Sequence, residues 1–310
     1  MSADDTSSVE MRIDEALVRR LLAEQFPRWA DLPLAPVPSP GVDNVTYRLG
    51  EEMSVRLPRY SRWAGQVERE QRWLPRLAPQ LPLTVPRPLA KGRPAAGYPL
   101  PWSVYQWLEG ENATPEHLAD PCRTATELAG FLAALQRIDA TDGPPPEWSN
   151  GFRGVPVGDE RDSAVVETRL RPGIAALAGL VDTDALTAVW EAALTAPAWH
   201  GPPVWIHGDP APGNLLAVDG RLSAVIDFGT LAVGDPACDL IAAWTVLSGE
   251  ARDVFRTTLS VDDATWARGR AWGLAALLPA PADLSAAEPV RAAHARRRLD
   301  ELVTDHRRTV

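Results

Sequence analysis

"WIHGDPAPGNLLAVDGRLSAVIDFG", Trp205–Gly229, is the stretch on which the reading of this chain turns. A short apolar run leads into His207 and Asp209. Pro210, Pro212 and Gly213 shape the loop beyond, and each proline fixes φ and removes a donor. Asn214 closes the loop, and apolar residues resume. A second apolar run ends in Asp227, Phe228 and Gly229. The pattern is H-x-D-x4-N, with D-F-G thirteen residues after Asn214. Each piece is weak evidence on its own. In this order, each behind a strand-like run, they set three oxygen-bearing side chains at the ends of neighbouring strands.

Such a set suits phosphoryl transfer from a nucleotide. That chemistry needs a cation bridging phosphate oxygens and a carboxylate that orients and deprotonates the attacking hydroxyl. Mg²⁺ takes oxygen ligands in octahedral geometry and keeps several waters. Asn214 offers an amide oxygen and Asp227 a carboxylate. Asp209 is then free to accept the proton. The prolines and Gly213 keep these groups from wandering.

The remaining totals fit such a protein and exclude others. With 310 residues, the chain is long enough for one large domain or two lobes. An apolar fraction of 45% and a charged fraction of 23% allow a sizeable core. Two cysteines are too few for a disulfide framework and lack metal-ligand spacing, which fits a reducing cytoplasm. The start, MSADDTSSVEMRIDE, lacks the basic and apolar regions of a signal peptide. No uninterrupted apolar run is long enough to span a membrane. The net charge of −10 speaks against nucleic acid as a partner. It suits a cationic small substrate, although solubility alone accounts for it equally well.

Along the chain, residues 1–11 read as a disordered tail. Ile13, Leu17 and Leu21 recur at helical spacing, so a helix is expected over 12–26. Alternation at Val45, Tyr47 and Leu49, and again at Met53, Val55 and Leu57, predicts a β-hairpin turning at "LGEE". "SRWAGQVEREQRWLPRL" reads as a helix, and "TVPRPLA" and "WSVYQWL" as strands. The polar break "EGENATPEH" is the expected lobe boundary. Residues 12–108 then form the first lobe and 109–310 the second. Leu128, Phe131, Leu132, Leu135 and Ile138 mark a buried helix face. Helices are expected over 161–196 and from Ala237 onward. The expected class is α+β: a small antiparallel sheet with a helix, then a mainly helical lobe.

The segment "HGDPAPGNLLAVDGRLSAVIDFGTLAVGDPACDLIAAW" resembles the aminoglycoside phosphotransferase family, small-molecule kinases related to the protein kinases. The resemblance runs in order from about residue 36 to 250. It implies a protein-kinase-like two-lobe fold, ATP or GTP as phosphoryl donor, and Mg²⁺. It makes Asp209 the catalytic base and Asn214 and Asp227 the metal ligands, with His207 and Asp239 bracing the loop. It implies that Gln106, Trp107 and Leu108 form the hinge that binds the base. Tyr105 then stands beside the base, where its ring crowds adenine and makes GTP use an expectation to test. The acceptor it implies is an aminoglycoside or another hydroxylated antibiotic. A sugar, amino alcohol, homoserine or nucleoside is the alternative, and a catalytically inactive binding module the third reading.

Two departures stand out. Arg56 occupies the place of the family's strand lysine, with Glu70 as its expected helical partner and Glu68 the other candidate. Arginine can bind a carboxylate or a phosphate bidentately. "SPGVDNVTYRL" takes the phosphate-loop place with Gly41 as its one glycine, ending at Asn44. Arg56, Glu70, Gly41 and Asn44 are therefore the expected phosphate-side residues. Asp159, Glu160, Asp162, Glu250 and Asp253 read either as a pocket for amino groups or as scattered surface charge, and Asp235 as a turn or cap, with a substrate contact as the alternative. The protein is expected to be a monomer or weak dimer.

Overall fold

The hairpin "NVTYRLGEEMSVRLP" sets the architecture of the first lobe. In the computed structural model, which describes residues 10–38, 43–159, 170–284 and 289–309, it forms β2 (Asn44–Leu49) and β3 (Met53–Pro58). Leu49 pairs with Met53 and Gly50 takes a φ of 61°, a conformation open to glycine. With β1 (Leu34–Pro36), β4 (Pro88–Gly92) and β5 (Trp102–Gln106) it makes an antiparallel sheet in the order β1-β2-β3-β5-β4.

Successive side chains point to opposite faces of a strand. Tyr47, Leu49, Val55, Leu57, Trp102 and Val104 therefore share one face, buried under α1 (Glu15–Gln25) with its Leu17, Val18, Leu21 and Leu22. The opposite face carries Ser54, Arg56, Ser103 and Tyr105, and looks toward α2 (Ala64–Leu77) and the cleft. Asp14 caps α1 by accepting from the Leu17 N–H at 2.8 Å. Of the expected tail, residues 1–9 lie outside the described residues, while Met11 already donates its N–H to the Arg59 carbonyl.

The helix α2 precedes residues 106–108 in sequence but packs against elements that come after them. Its Trp73, Leu74 and Leu77 belong to the large core that holds α3 (Pro121–Arg137) and most of the remaining helices. The Trp73 and Trp205 rings meet edge to face at 4.8 Å, a favoured aromatic geometry. Beyond residues 106–108, β6 (Glu111–Asn112) pairs with β8 (Leu215–Val218), which pairs with β9 (Arg221–Val225). A second small ladder joins β7 (Val204–Ile206) to β10 (Ala232–Gly234).

The helices α4 (Thr183–Thr195), α5 (Ala242–Thr245), α6 (Gly249–Leu259), α7 (Asp263–Leu277) and α8 (Pro289–Thr309) complete the second lobe. The periodicity of α3 holds: Leu128, Phe131, Leu132 and Leu135 are fully buried, and Ile138 sits just past the helix end. Part of the helical stretch expected over 161–196 lies outside the described residues; the rest includes α4. Among the described residues no helix is long and apolar enough to cross a membrane. The chain is thus a mixed α/β protein with a small antiparallel sheet and a larger helical part.

Candidate active site

The strand β7 delivers His207 to the interior, and everything around it is fixed by hydrogen bonds. The Asp239 carboxylate, fully buried, accepts the His207 N–H at 2.9 Å and the Gly208 N–H at 2.6 Å. Burial pushes the Asp239 carboxyl upward, against the pull of His207 and these two amides. His207 accepts the Asp209 N–H on Nδ1 at 3.2 Å, and its Nε2 meets the Ile226 carbonyl at 3.0 Å, so the proton sits on Nε2. Gly208 has φ 88°, and a Cβ there would come within 2.8 Å of the Thr230 carbonyl. Only glycine fits between His207 and Asp209.

The two prolines then turn the chain back. Pro210 is buried, the Ala211 N–H donates to the Asp209 carbonyl at 2.8 Å, and Pro212 opens a 3₁₀ turn that ends at Asn214. Asn214 Nδ2 donates to the Asp209 carbonyl at 2.9 Å and to Asp209 Oδ2 at 3.2 Å. Its amide nitrogen is spent on Asp209, which leaves its oxygen, the atom a hard cation takes, without a hydrogen bond among the described residues. The Ile226 N–H donates to the Asn214 carbonyl at 2.8 Å and ties this loop to the strand end before Asp227.

Asp227 sits in the left-handed region at φ 62° and ψ 69°, where non-glycine residues are uncommon. Arg56 from β3 holds it there: Nη2 lies 2.9 Å from Asp227 Oδ2, and Nη1 lies 3.4 Å from Glu70 Oε1. Glu70 also accepts the Phe228 N–H at 2.9 Å and the Tyr105 hydroxyl at 2.5 Å. Burial raises the Glu70 carboxyl, and the charge of Arg56 opposes it. Burial works the same way on Asp227, but there Arg56 prevails and holds the carboxyl below its usual range. Tyr105, buried and bonded to Glu70, is driven well above the usual phenol range.

These groups open on one cavity of about 430 Å³ between the lobes. Arg56, Tyr105, Asp209, Asn214 and Asp227 line it, as do Gln106, Trp107 and Leu108, the residues expected to form the hinge. Among the described residues no cluster of three or more His, Cys, Asp or Glu side chains could hold a metal alone. Asn214 and Asp227 supply two oxygen donors on one wall, so they fit a Mg²⁺ that arrives with other oxygens, such as those of a nucleotide.

This constellation is that of a kinase-like transferase, and known proteins agree. The chain belongs to the phosphotransferase enzyme family. The model of that family matches residues 35–272. No curated protein matches the chain. Among solved structures the chain is similar in fold to the GDP complex of wild-type aminoglycoside 2'-phosphotransferase-IIIa, with a TM-score of 0.66 and 19% identity over 95% of this chain and 100% of that one. It is also similar to the streptomycin–ATP ternary complex of APH(2'')-IIa, with a TM-score of 0.56 and 19% identity over 95% of this chain and 96% of the other. The apoenzyme of the macrolide 2'-phosphotransferase MphH from Brachybacterium faecium gives a TM-score of 0.56 and 24% identity over 93% and 98%.

Set against this phosphotransferase architecture, the expected residues fall into three groups. Asp209, Asn214, Asp227, Arg56, Gln106, Trp107 and Leu108 meet at the cavity. Glu70, His207 and Asp239 lie behind it and reach it through hydrogen bonds. Asn44 turns away toward Gln66 of α2, at 3.5 Å from its Oε1, and Gly41 lies outside the described residues. Glu68 pairs with Lys91, not Arg56. Asp235 caps the next turn through the Ala237 N–H at 2.9 Å and also makes a buried ion pair with Arg268 at 2.8 Å. Of the acidic residues, Glu250 lies near Cys122 at the start of α3, Asp159 and Asp253 are not among the residues that line the cavity, and Glu160 and Asp162 are outside the described residues. Thr46, Ser54, Leu216 and Ile226 are among the other residues that line the cavity, and the sequence carries no signal that singles them out.

Proposed function

We propose that this phosphotransferase moves the γ-phosphoryl group of ATP or GTP, with Mg²⁺, to a hydroxyl of a small molecule, an aminoglycoside or another hydroxylated antibiotic. The observation that carries the reading is the convergence of Asp209, Asn214, Asp227 and Arg56 on the cavity that the hinge also lines. In this reading residues 12–108 supply the nucleotide lobe and 109–310 the catalytic loop and the acceptor surface.

Asp209 accepts the proton of the acceptor hydroxyl as that oxygen forms its bond to the γ-phosphorus. The bond from phosphorus to the bridging oxygen breaks in line, and the nucleoside diphosphate leaves. Asn214 holds Asp209 in place through two hydrogen bonds, which leaves its amide oxygen as the atom that would hold the metal. Asp227 would be the second protein ligand, and Mg²⁺ held there would supply positive charge opposite the phosphate oxygens. Arg56 steadies Asp227 and faces the phosphates, while Glu70 and Tyr105 hold Arg56 from behind. The Leu108 N–H, free of backbone hydrogen bonds among the described residues, and the neighbouring hinge carbonyls offer the base its edge contacts.

For the acceptor, structures of this fold include complexes with streptomycin and with kanamycin and a macrolide phosphotransferase. The charges near the catalytic loop bear on the choice. Glu147 is paired with Arg69, Asp235 with Arg268, and Asp239 with backbone amides. Those three carboxylates are already partnered within the chain, so the amino groups of a cationic acceptor would meet other acidic side chains. Such an enzyme works in the cytoplasm, where nucleotide is supplied and its two free cysteines stay reduced. Incubation with γ-labelled ATP or GTP, Mg²⁺ and a panel of macrolides, aminoglycosides, sugars and amino alcohols tests the reading. Transfer to an antibiotic that Asp209→Asn abolishes is the expected result. Transfer confined to a metabolite would replace the acceptor, and no transfer to any acceptor would end the reading.

A further inference from the structure

Arg69 and Glu70 are neighbours on α2, and each takes hold of a different residue of the segment that carries Asp227. Glu70 accepts the Phe228 N–H. Arg69 Nη1 donates to the Gly229 carbonyl, and its Nη2 donates to Glu147 Oε1 at 2.6 Å and to Ser149 Oγ at 2.7 Å. Ser149 in turn donates to Glu147. The next residue, Asn150, is buried, and its Nδ2 donates to the Thr230 carbonyl at 3.2 Å. Four successive residues, Asp227 to Thr230, are thus each held by a different side chain.

We propose that Arg69 is a positioning residue that couples the surface turn Glu147–Ser149 to the Asp227 carboxylate, so that this turn, which does not itself line the cavity, sets how well the site takes Mg²⁺. The inference rests on the reading of Asp227 as a metal ligand.

Three observations carry it. The first is that Arg69 is rigidly based. It stands one turn before Trp73 and Leu74, which anchor α2 in the core of the second lobe, and its side chain is 4% exposed. The second is that its planar fork is matched to three acceptors from two separate loops, which a lysine, a single point of charge, cannot satisfy together. The third is that the segment has no slack. A Cβ on Gly229 would come within 2.7 Å of Gln66 on the same helix, and Asp227 already sits at positive φ. A shift of the Gly229 carbonyl therefore passes to Asp227 two residues away. Glu147 is the exposed end of the chain of contacts, its side chain 54% accessible, so altering it leaves the core intact.

The test uses Arg69→Lys, Glu147→Gln and Ser149→Ala in the full-length chain, with two readouts. The first is amide hydrogen exchange without ligand. Residues 226–231 are expected to exchange several-fold faster in Arg69→Lys and measurably faster in Glu147→Gln, with α3 unchanged. The second is calorimetric binding of ATP and of GTP, with EDTA and across a Mg²⁺ titration. The Mg²⁺ concentration for half-maximal enhancement is expected to rise about tenfold in Arg69→Lys, the worth of one charge-assisted hydrogen bond, with binding in EDTA unchanged. Smaller rises in the same direction are expected for Glu147→Gln and Ser149→Ala. Variants that match the wild type in both readouts overturn the proposal, as does an equal loss of binding with and without metal, which would mark general damage. A wild type whose nucleotide binding ignores Mg²⁺ overturns the proposed metal site itself and this inference with it.

Discussion

The Arg56 guanidinium lies 2.9 Å from the Asp227 carboxylate, closer than to Glu70, the helical partner expected from sequence. One planar cation thus bridges two carboxylates from β3 outward, and its own charge is reinforced by both. A lysine can sit beside one of them but cannot span both with parallel donors.

Arg56→Lys is therefore expected to weaken the site without removing its charge. Losing one of two charge-assisted hydrogen bonds lowers kcat/KM by about tenfold. Arg56→Met leaves the buried Glu70 and the half-buried Asp227 beside each other without a cation and costs about 2–3 kcal/mol in stability. Steady-state kinetics of the lysine variant and urea unfolding of the methionine variant check the two statements. Full activity of Arg56→Met would show that the bridge is irrelevant to turnover.

Asp209→Asn separates chemistry from binding. The substitution keeps the size of the side chain, so the loop hydrogen bond from Asn214 to the Asp209 backbone carbonyl persists. With the proton acceptor gone, kcat falls by about 10²–10⁴-fold. Nucleotide affinity, which the proposed function assigns to Arg56, Asp227 and residues 106–108, is expected to stay within a few-fold. Single-turnover transfer and calorimetric nucleotide binding on the same preparation check both halves.

What the sequence made legible was local. The hairpin followed from alternation at Tyr47, Leu49, Val55 and Leu57, because one sheet face is buried and the other faces the cleft. The meeting of Asp209, Asn214 and Asp227 at one cavity was legible because all three lie within one short stretch. The clamp of Arg69 on Gly229 was not legible, because its partners are distant in the chain and an arginine on a helix reads as a solvated face. The packing of Trp73 against Trp205 was hidden in the same way: twelve tryptophans offer many pairings, and periodicity does not choose among them. Asp235 read as a cap, which it is, but its ion pair with Arg268 across the second lobe had no sequence signature.

Asp262 gives a stability test with a defined pH window. It caps α7 by accepting the Thr265 N–H at 2.6 Å, and this hydrogen bond holds its carboxyl below the usual value of 3.8. A carboxyl whose pKa is lower folded than unfolded contributes fully above the unfolded value. The contribution is lost as pH falls through the folded one. Asp262→Ala is expected to cost about 1 kcal/mol at neutral pH, as for other N-caps. The gap between wild type and variant should close below about pH 4, near the unfolded carboxyl value. Urea unfolding of both proteins from pH 7 to pH 3 checks this; a gap that widens on acidification would contradict it.

Tyr105 bears on which nucleotide is used. Its ring lines the cavity at the strand end before the hinge, and its hydroxyl is committed to Glu70, so the ring cannot swing away without breaking that bond. A fixed ring there narrows the depth available to the base, and with the base seated at the hinge it disfavours the adenine mode. GTP is expected to support turnover at least as well as ATP. In Tyr105→Met the flexible side chain yields space, so the ratio of kcat/KM for ATP to that for GTP should rise severalfold. Because the Tyr105 hydroxyl also caps Glu70, the same variant should lose some activity with both nucleotides. Tyr105→Phe separates the two effects: it keeps the ring and removes the hydrogen bond, so it should lower both activities and leave the ratio unchanged. Competition between ATP and GTP at equal concentration in the three proteins reads the ratio directly. A wild type that strongly prefers ATP would remove the ring from any part in the choice.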